Sequence, residues 1–312
     1  MKTSDPGAAR MKTRARPIRS ALFVPADRED MMRKAAGFGA DALILDLEDG
    51  VVEEARERAR AGLRPIVREL SAAGQTIIVR VNGIESGLTG FDLQAVTCPD
   101  LYAVMVAKIA GPDHVKEVAH LLNFFERKND VETGATLIWP LLETAEGIYR
   151  AYEAGAASPR VAHMGGVGGR GDVGRAVGYQ TTPEGLETLY LLSKVLLEAR
   201  AAGVPFPIGG GGSGENIKDV NGIRAGAIRA RQLGYTGAML LHPAGIAAVN
   251  EVFTPSEDEL QDARDLVAAV EAKFSAGRGV TTHRGRMVDA AHLKTARAML
   301  QWAESIRSRK SQ

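Results

Sequence analysis

The chain has 312 residues, 45% of them apolar, so it can bury the core of one large domain. Its 39 Lys and Arg residues balance 38 Asp and Glu residues, and a net charge of +1 gives no general attraction for nucleic acid or an anionic membrane surface. The single cysteine, Cys98, excludes an intrachain disulfide, and we expect a cytoplasmic protein.

The first 16 residues are basic and contain no apolar core of a secretory signal, so we predict a disordered basic tail over residues 1–16. Farther along the chain, no apolar run approaches the roughly 18 residues that a membrane-spanning helix requires.

Short runs rich in Val, Ile, Leu and Ala follow the tail. Most of them are continuous rather than alternating, which is typical of strands buried on both faces of a parallel sheet. The eight runs are 20–26, 42–48, 76–82, 103–109, 136–143, 161–167, 205–210 and 238–243. The seventh is the weakest, because it contains prolines and glycines.

The segments between these runs have helical periodicity, as in residues 53–70 and 182–202. Strand and helix therefore alternate along the chain. Eight such units favour a closed (β/α)8 TIM barrel over an open sheet, and we predict this α/β barrel over residues 17–255.

After Pro255 the pattern changes. Residues 256–275 and 290–308 have the spacing of amphipathic helices, and a glycine-rich segment over residues 275–285 joins them. We predict that residues 256–312 form a C-terminal helical extension that packs on a neighbouring subunit.

Charged residues close several of the apolar runs. Glu48, Arg80, Lys108 and Glu143 each stand at or near the end of a run, and Asp172 follows the sixth run in a glycine-rich loop. The chemistry of a parallel barrel lies at the carboxyl ends of its strands, so we expect these side chains to meet at the barrel mouth.

Glu143 and Asp172 are the predicted metal ligands. Carboxylates with few histidines or thiols nearby form an oxygen-rich site that suits Mg²⁺ rather than Zn²⁺, and Mg²⁺ commonly takes only one or two protein carboxylates. The alternative is that Glu143 is a surface acid at a helix N-terminus and Asp172 a turn former.

Arg80 has a planar guanidinium that can hold a substrate carboxylate through two hydrogen bonds. A structural salt bridge to Glu48 is the alternative, and both hold if Glu48 orients Arg80. Lys108 is a candidate substrate-binding residue, or an ordinary ion-pair partner at the barrel mouth.

A glycine-rich loop contains the G-x-G-x-x-G spacing at Gly166, Gly168 and Gly171. A dinucleotide-binding turn would open the first strand–helix unit, whereas this loop lies in mid-chain. We therefore interpret Gly168 and Gly171 as substrate-binding positions, where missing side chains let backbone N–H groups approach an anion.

Several segments together form a recognisable pattern: 19–25 (RSALFVP), 45–49 (LDLED), 79–82 (VRVN), 142–147 (LETAEG), Asp172 with Gly178, 242–243 (HP) and 249–250 (VN). Over nearly all of residues 18–300 the chain thus resembles the citrate lyase beta-subunit-like branch of the HpcH/HpaI aldolase superfamily. The resemblance implies a Mg²⁺-dependent barrel enzyme, a homotrimer or homohexamer, that acts on citryl-, malyl- or citramalyl-CoA.

By the same resemblance, Glu143 and Asp172 bind the metal, Arg80 holds the substrate carboxylate or keto acid, and Glu48 supports the site. The segment 285–289 (GRMVD) matches a C-terminal family motif, which implies that Asp289 reaches a neighbouring subunit's site as the acid/base. The alternative is that Asp289 caps the last helix.

The chain also departs from the family pattern. It has Gly209 where the family usually has an acid, Gly237-Ala238 where Gly-Lys is common, and Gly245 where Gln is common. These departures affect the expected acyl-CoA pocket. We therefore keep three alternatives to an acyl-CoA lyase: an aldolase on free hydroxy-keto acids, a malyl-CoA-type thioesterase and a non-catalytic barrel subunit.

Overall fold

The computed structural model describes residues 14–166, 171–182, 184–210, 216–275 and 280–309. The chain divides into two compact units, one ending at Phe253 and the other beginning at Thr254. Among the helices of these ranges, none is both long enough and apolar enough to span a bilayer.

The first unit contains a parallel sheet whose strands run in the order β5-β4-β3-β2-β1-β8-β7-β6. Parallel bridges Ile138↔Val161 and Leu141↔Gly165 join β5 to β6 and close the circle. The predicted (β/α)8 barrel is confirmed. The strands are β1 (Ser20–Pro25), β2 (Ala42–Asp46), β3 (Thr76–Val81), β4 (Ala103–Val106), β5 (Leu137–Pro140), β6 (His163–Gly165), β7 (Phe206–Gly210) and β8 (Ala238–Leu240).

Helices follow the strands and cover the outside of the sheet. In chain order they are α1 (Glu29–Ala35), α2 (Glu53–Ala72), α3 (Thr89–Val96), α4 (Pro112–Lys128), α5 (Ala145–Tyr149), α6 (Ala151–Ala156), α7 (Asp172–Val177), α8 (Leu186–Ala201), α9 (Val220–Leu233) and α10 (Ile246–Phe253). The predicted helix over 182–202 begins later, at Leu186, directly after Gly185 in the left-handed region.

Side chains on each strand alternate between two apolar clusters. On β2, Leu43 and Leu45 belong to the cluster that packs beneath the helices, whereas Ala42 and Ile44 belong to the cluster enclosed by the strands. Successive side chains of a strand point to opposite faces. The next inward position on β2 is therefore Asp46, where the apolar interior ends and the barrel mouth begins.

The weak seventh run is a genuine strand. β7 pairs with β6 through Met164↔Pro207 and with β8 through Gly209↔Ala238. A Cβ on Gly165 would lie 1.8 Å from the carbonyl oxygen of Ile208, so only glycine permits this close approach of β6 and β7.

The second unit consists of α11 (Glu257–Ser275), β9 (Thr281–His283), β10 (Arg286–Val288) and α12 (Ala290–Arg309). The two helices were predicted, but the antiparallel β9–β10 hairpin between them was not. Its turn residues Arg284 and Gly285 have φ of 46° and 75°. Positive φ at both positions of a two-residue turn matches the right-handed twist of a hairpin.

Candidate active site

Arg80 and Asp46 pair at the carboxyl ends of β3 and β2. Their positions are in register, and the guanidinium donates from Nε to Oδ1 at 2.7 Å and from Nη2 to Oδ2 at 2.6 Å. The Arg80 guanidinium also lies over the ring of Phe23, 5.0 Å from its centroid. These contacts hold the guanidinium in one orientation at the mouth.

The carboxylate of Asp46 also organises the loop that follows β2. Its oxygens accept hydrogen bonds from the backbone N–H groups of Glu48 (3.0 Å) and Gly50 (2.9 Å). A Cβ at Gly50 would lie 2.4 Å from Asp46 Oδ2, so the loop needs glycine there to close around the carboxylate. Asp46 was not among the predicted site residues.

Glu48 is buried, with 4% of its surface exposed, and it binds two cations. Its Oε2 lies 2.9 Å from Arg80 Nη1, and its Oε1 lies 2.5 Å from Lys108 Nζ. The contact expected between Glu48 and Arg80 is therefore present. The guanidinium makes two hydrogen bonds with Asp46 and one ion-pair contact with Glu48.

Burial opposes the charge of Arg80, but the hydrogen bonds to Asp46 and the negative charges of Asp46, Glu48 and Glu143 outweigh it, so the pKa of Arg80 is raised. Lys108 shows the same balance. Burial lowers its pKa, but Glu48, Asp49 and Asp172 together raise it. Both side chains therefore stay cationic.

Lys108 contacts three parts of the site, and its backbone is left-handed, with φ of 53°. Its backbone N–H donates to Glu143 Oε1 at 3.1 Å. Its Nζ, besides the contact with Glu48, lies 3.6 Å from Asp172 Oδ2 and 3.8 Å from Asp49. A non-glycine residue in this conformation is uncommon and often marks a functional position.

Glu143 follows β5 and precedes Thr144, whose side chain caps α5 by accepting from the N–H of Gly147. The residue is 9% exposed, and among the described residues only the N–H of Lys108 forms a hydrogen bond with its carboxylate. Burial, then the charge of Glu48, raises the pKa of Glu143 to about 7. A buried acid with so little compensation favours a cation beside it.

Asp172 is the first residue of α7, and Gly171 precedes it as the N-cap residue. Arg175 Nη2 contacts Asp172 Oδ1 at 2.6 Å. Its Oδ2 faces Lys108, so Glu143 and Asp172 both contact the same lysine. Gly168 lies outside the described residues, as do residues 211–215.

The two predicted metal ligands fit a hard cation in their chemistry. Within the described ranges there is no group of three or more His, Cys, Asp or Glu side chains able to hold a metal. A pair of carboxylates is the ligand set that Mg²⁺ commonly takes from a protein, with water and substrate oxygens completing its octahedron.

Asp289 lies in the second unit, directly before α12. Its Oδ1 accepts from the N–H groups of Ala291 (2.9 Å) and His292 (3.3 Å) and contacts His292 Nδ1 at 2.7 Å. The hydrogen bond with the His292 side chain and then those with the backbone lower the pKa of Asp289. The carboxylate therefore caps the helix through Oδ1. Among the described residues, none forms a hydrogen bond with Oδ2.

Known proteins are similar to this chain in sequence and fold. The profile of the HpcH/HpaI aldolase/citrate lyase family matches residues 19–243. A (3S)-malyl-CoA thioesterase of Cereibacter sphaeroides is 33% identical over 296 residues, with 95% of this chain and 98% of that protein covered. An L-malyl-CoA/beta-methylmalyl-CoA lyase of the same organism is 32% identical over 312 residues, covering 94% and 96%.

Solved structures agree with this likeness. The CitE protein of Mycobacterium tuberculosis, in complex with magnesium, acetoacetate and coenzyme A, is 28% identical with a TM-score of 0.70, and 93% of this chain and 98% of that one are covered. A citrate lyase beta subunit from the same organism, complexed with oxaloacetate and magnesium, is 28% identical with a TM-score of 0.61, covering 78% and 99%.

Proposed function

The chain belongs to the HpcH/HpaI aldolase/citrate lyase family, and we propose that it is a Mg²⁺-dependent carbon–carbon lyase that cleaves a short β-hydroxyacyl-CoA into a keto acid and an acyl-CoA. The substrate is of the malyl-, citramalyl- or citryl-CoA type. One observation carries the proposal: Arg80, Lys108, Glu48, Glu143 and Asp172 form one cluster at the carboxyl ends of the barrel strands.

The lyase of Cereibacter sphaeroides and the Mycobacterium tuberculosis complexes support this choice of substrate and cofactor. Mg²⁺ held by Glu143 and Asp172 supplies Lewis-acid stabilisation of the hydroxyl oxygen as it becomes a carbonyl. We propose this cation as the partner of the buried Glu143 carboxylate, which the described residues leave with a single hydrogen bond.

Arg80 binds the carboxylate at the keto-acid end of the substrate. A guanidinium has five N–H donors. Two of them donate to Asp46 and the Nη1 group lies 2.9 Å from Glu48 Oε2, which leaves at least two for a substrate carboxylate. Because Asp46 and Glu48 fix the fork before substrate arrives, little side-chain entropy is lost on binding.

Lys108 binds a substrate oxygen with its ammonium group. The Lys108 side chain is 38% exposed and is therefore accessible from the mouth of the barrel. Glu48 is the positioning residue for both cations. Gly171 and Gly168, the latter outside the described residues, are proposed as further substrate-binding positions.

Cleavage needs a base for the substrate hydroxyl, and we propose Asp289 of a neighbouring subunit. As the hydroxyl proton passes to that carboxylate, the C–C bond breaks, the keto acid forms and the electron pair moves to the acyl-CoA carbon as an enolate, which is then protonated. A shared site requires an oligomer, for which we propose a homotrimer or homohexamer in the cytoplasm, with residues 256–312 as the extension that meets the neighbour.

Hydrolysis of malyl-CoA is the second candidate function. The (3S)-malyl-CoA thioesterases of Cereibacter sphaeroides, at 33% identity over almost the whole chain, favour it. The same metal and Arg80 would hold the acid end of the molecule. Water would then attack the thioester carbonyl and displace the coenzyme A thiol, and the C–C bond would stay intact.

Incubation with malyl-CoA or citramalyl-CoA and Mg²⁺, followed by mass spectrometry, tests both functions. A lyase yields an acyl-CoA with glyoxylate or pyruvate, whereas a thioesterase yields free coenzyme A with the intact hydroxy acid. Glu143→Gln should abolish either reaction. Cleavage of free hydroxy-keto acids instead, or full activity in the Gln variant, would contradict the proposal.

A further inference from the structure

The second unit contains a cavity of about 340 Å³ that the proposed reaction does not use. Its polar lining consists of Asp262, His283, Arg284, Arg286 and His292, and Leu266 and Val288 supply its apolar part. Two guanidiniums and two imidazoles thus meet one carboxylate around a volume that holds a small polar group.

The β9–β10 hairpin brings the basic side chains together. Arg286 and His283 are directly opposite each other in the ladder, so their side chains lie on the same face. Val288, two residues after Arg286, shares that face and is buried, with 3% exposure. Arg284 enters the lining from the turn between the two strands.

The carboxylate in the lining is already engaged. Asp262 Oδ1 lies 2.7 Å from His283 Nε2 and 2.8 Å from Arg284 Nε. The hydrogen bond from His283 and the positive charges of Arg284, His283 and Arg286 lower the pKa of Asp262, so the carboxylate stays ionised. The carboxylate therefore already pairs with two neighbours in the cavity wall, His283 and Arg284.

Arg286 differs from the other basic groups of the lining. Within the part of the chain that the structure describes, its guanidinium forms no ion pair and no hydrogen bond. Even if no charge on the histidines is counted, the two guanidiniums exceed the single carboxylate of the lining by one positive charge. A guanidinium with free donors, beside imidazoles that can also donate, is suited to a phosphate oxygen.

We infer that this cavity is an anion site that binds a phosphate group through Arg286, with Arg284, His283 and His292 around it. The phosphate belongs either to a larger ligand or to free inorganic phosphate. Coenzyme A is the larger ligand we name, because it is part of the proposed acyl-CoA substrate, and this choice rests on the proposed function. His292 contacts Asp289, so a phosphate here would lie next to the proposed acid/base.

Titration calorimetry on the full-length protein, in a buffer free of phosphate and at low salt, tests this site with three probes: coenzyme A, 3′-dephospho-coenzyme A and inorganic phosphate. Because a charge-assisted bond is lost, Arg286→Ala should weaken binding of the phosphate-bearing probe about tenfold. Arg286→Lys should retain part of the affinity. Lys273→Ala, which removes an equal charge from α11 outside the lining, is the matched control.

The three probes distinguish the sources of the phosphate. Weaker binding of coenzyme A alone assigns the cavity to its 3′-phosphate, a loss shared by the dephospho form assigns it to the diphosphate, and an effect on inorganic phosphate alone assigns it to the free ion. Each of these results supports the site. Affinities that change less than about twofold for every probe, or equally in Lys273→Ala, overturn it.

No turnover is measured in these titrations. A protein without lyase or thioesterase activity whose phosphate binding depends on Arg286 would refute the proposed function and leave the anion site standing. An active lyase whose ligand binding is indifferent to Arg286 would do the reverse. Thermal midpoints close to that of the native chain show that each variant is folded.

Discussion

Arg80 and Asp46 form a two-point hydrogen-bonded pair across β3 and β2, at 2.7 and 2.6 Å. A second pair of the same kind lies where β2 begins. There Arg19 donates from Nε and Nη2 to the two oxygens of Asp41, both at 2.8 Å. The same chemistry thus occurs at both ends of β2, but only the pair at the carboxyl end adjoins the candidate site.

Asp46→Asn should lower kcat/KM by 10- to 100-fold, which is the usual size of the effect when a supporting partner is lost. An amide offers one acceptor where the carboxylate offers two, so Arg80 loses its fixed orientation. Steady-state kinetics with malyl-CoA measure the change. Asp41→Asn is the matched control, because it removes the equivalent partner of Arg19 and should alter stability without altering kcat/KM. Equal kinetic losses in both variants would mean that Asp46 acts through stability alone.

Much of this architecture could be predicted from the sequence, because strands buried on both faces leave continuous apolar runs. The meeting of the charged side chains at the strand ends could be predicted too, since the carboxyl ends of parallel strands converge. That convergence brings Arg80, Glu48, Lys108, Glu143 and Asp172 into one cluster. The roles assigned to them remain predictions.

Other features depend on relationships that the apolar pattern does not contain. Asp46 was missed although its spacing from Ile44 puts it on the inward face, a signal that strand alternation alone could have supplied. The left-handed backbone of Lys108 carries no sequence signal, because lysine has no preference for that region. The β9–β10 hairpin was missed because three-residue strands beside a glycine-rich segment are too short for periodicity.

Lys108→Met should tighten Mg²⁺ binding about tenfold and reduce turnover, because a positive charge that lies 3.6 Å from Asp172 repels a cation at the same carboxylate. Titration calorimetry with MgCl₂ measures the affinity. Lys108→Arg keeps the charge and should bind Mg²⁺ like the native protein. Weaker Mg²⁺ binding in Lys108→Met would show that the ammonium organises the carboxylates rather than competing for them.

Glu143 should make the metal-free protein less stable as the pH rises. Its pKa is about 7 in the folded state and near 4.5 when unfolded, so between these values the folded protein holds the extra proton. The free energy of unfolding therefore falls as the pH rises from about 4.5 through 7, and the loss levels off above the folded-state pKa. Relative to Glu143→Gln, the native protein should lose on the order of 2–3 kcal/mol by pH 8.

Urea unfolding at pH 5 and pH 8 in EDTA, with the native protein and Glu143→Gln side by side, measures that loss. Saturating Mg²⁺ at pH 8 should restore stability to the native protein and not to the Gln variant, because a bound cation offsets the buried charge. Parallel pH dependences for the two proteins would show that Glu143 is ionised without cost and needs no cation.

Asp289→Asn should reduce kcat by 10²- to 10⁴-fold, about the contribution of a general acid or base, while leaving stability almost unchanged. The stability is preserved because Asn caps a helix about as well as Asp, whereas Asp289→Ala should cost about 1 kcal/mol. The comparison separates the two roles of the side chain. A Tm that falls in Asp289→Asn in step with activity would leave capping as its only function.

Mixing two inactive variants then tests whether Asp289 serves a neighbouring subunit. In a hetero-oligomer of Asp289→Asn and Glu143→Gln chains, an intact barrel from the first can receive an intact Asp289 from the second. Random association of equal amounts should restore roughly one quarter of native activity, since each site combines two chains. The chains must be refolded or coexpressed together so that they exchange. If mixed oligomers form, as mass spectrometry can verify, yet stay as inactive as their parents, the acid/base of each site comes from its own chain or from another residue.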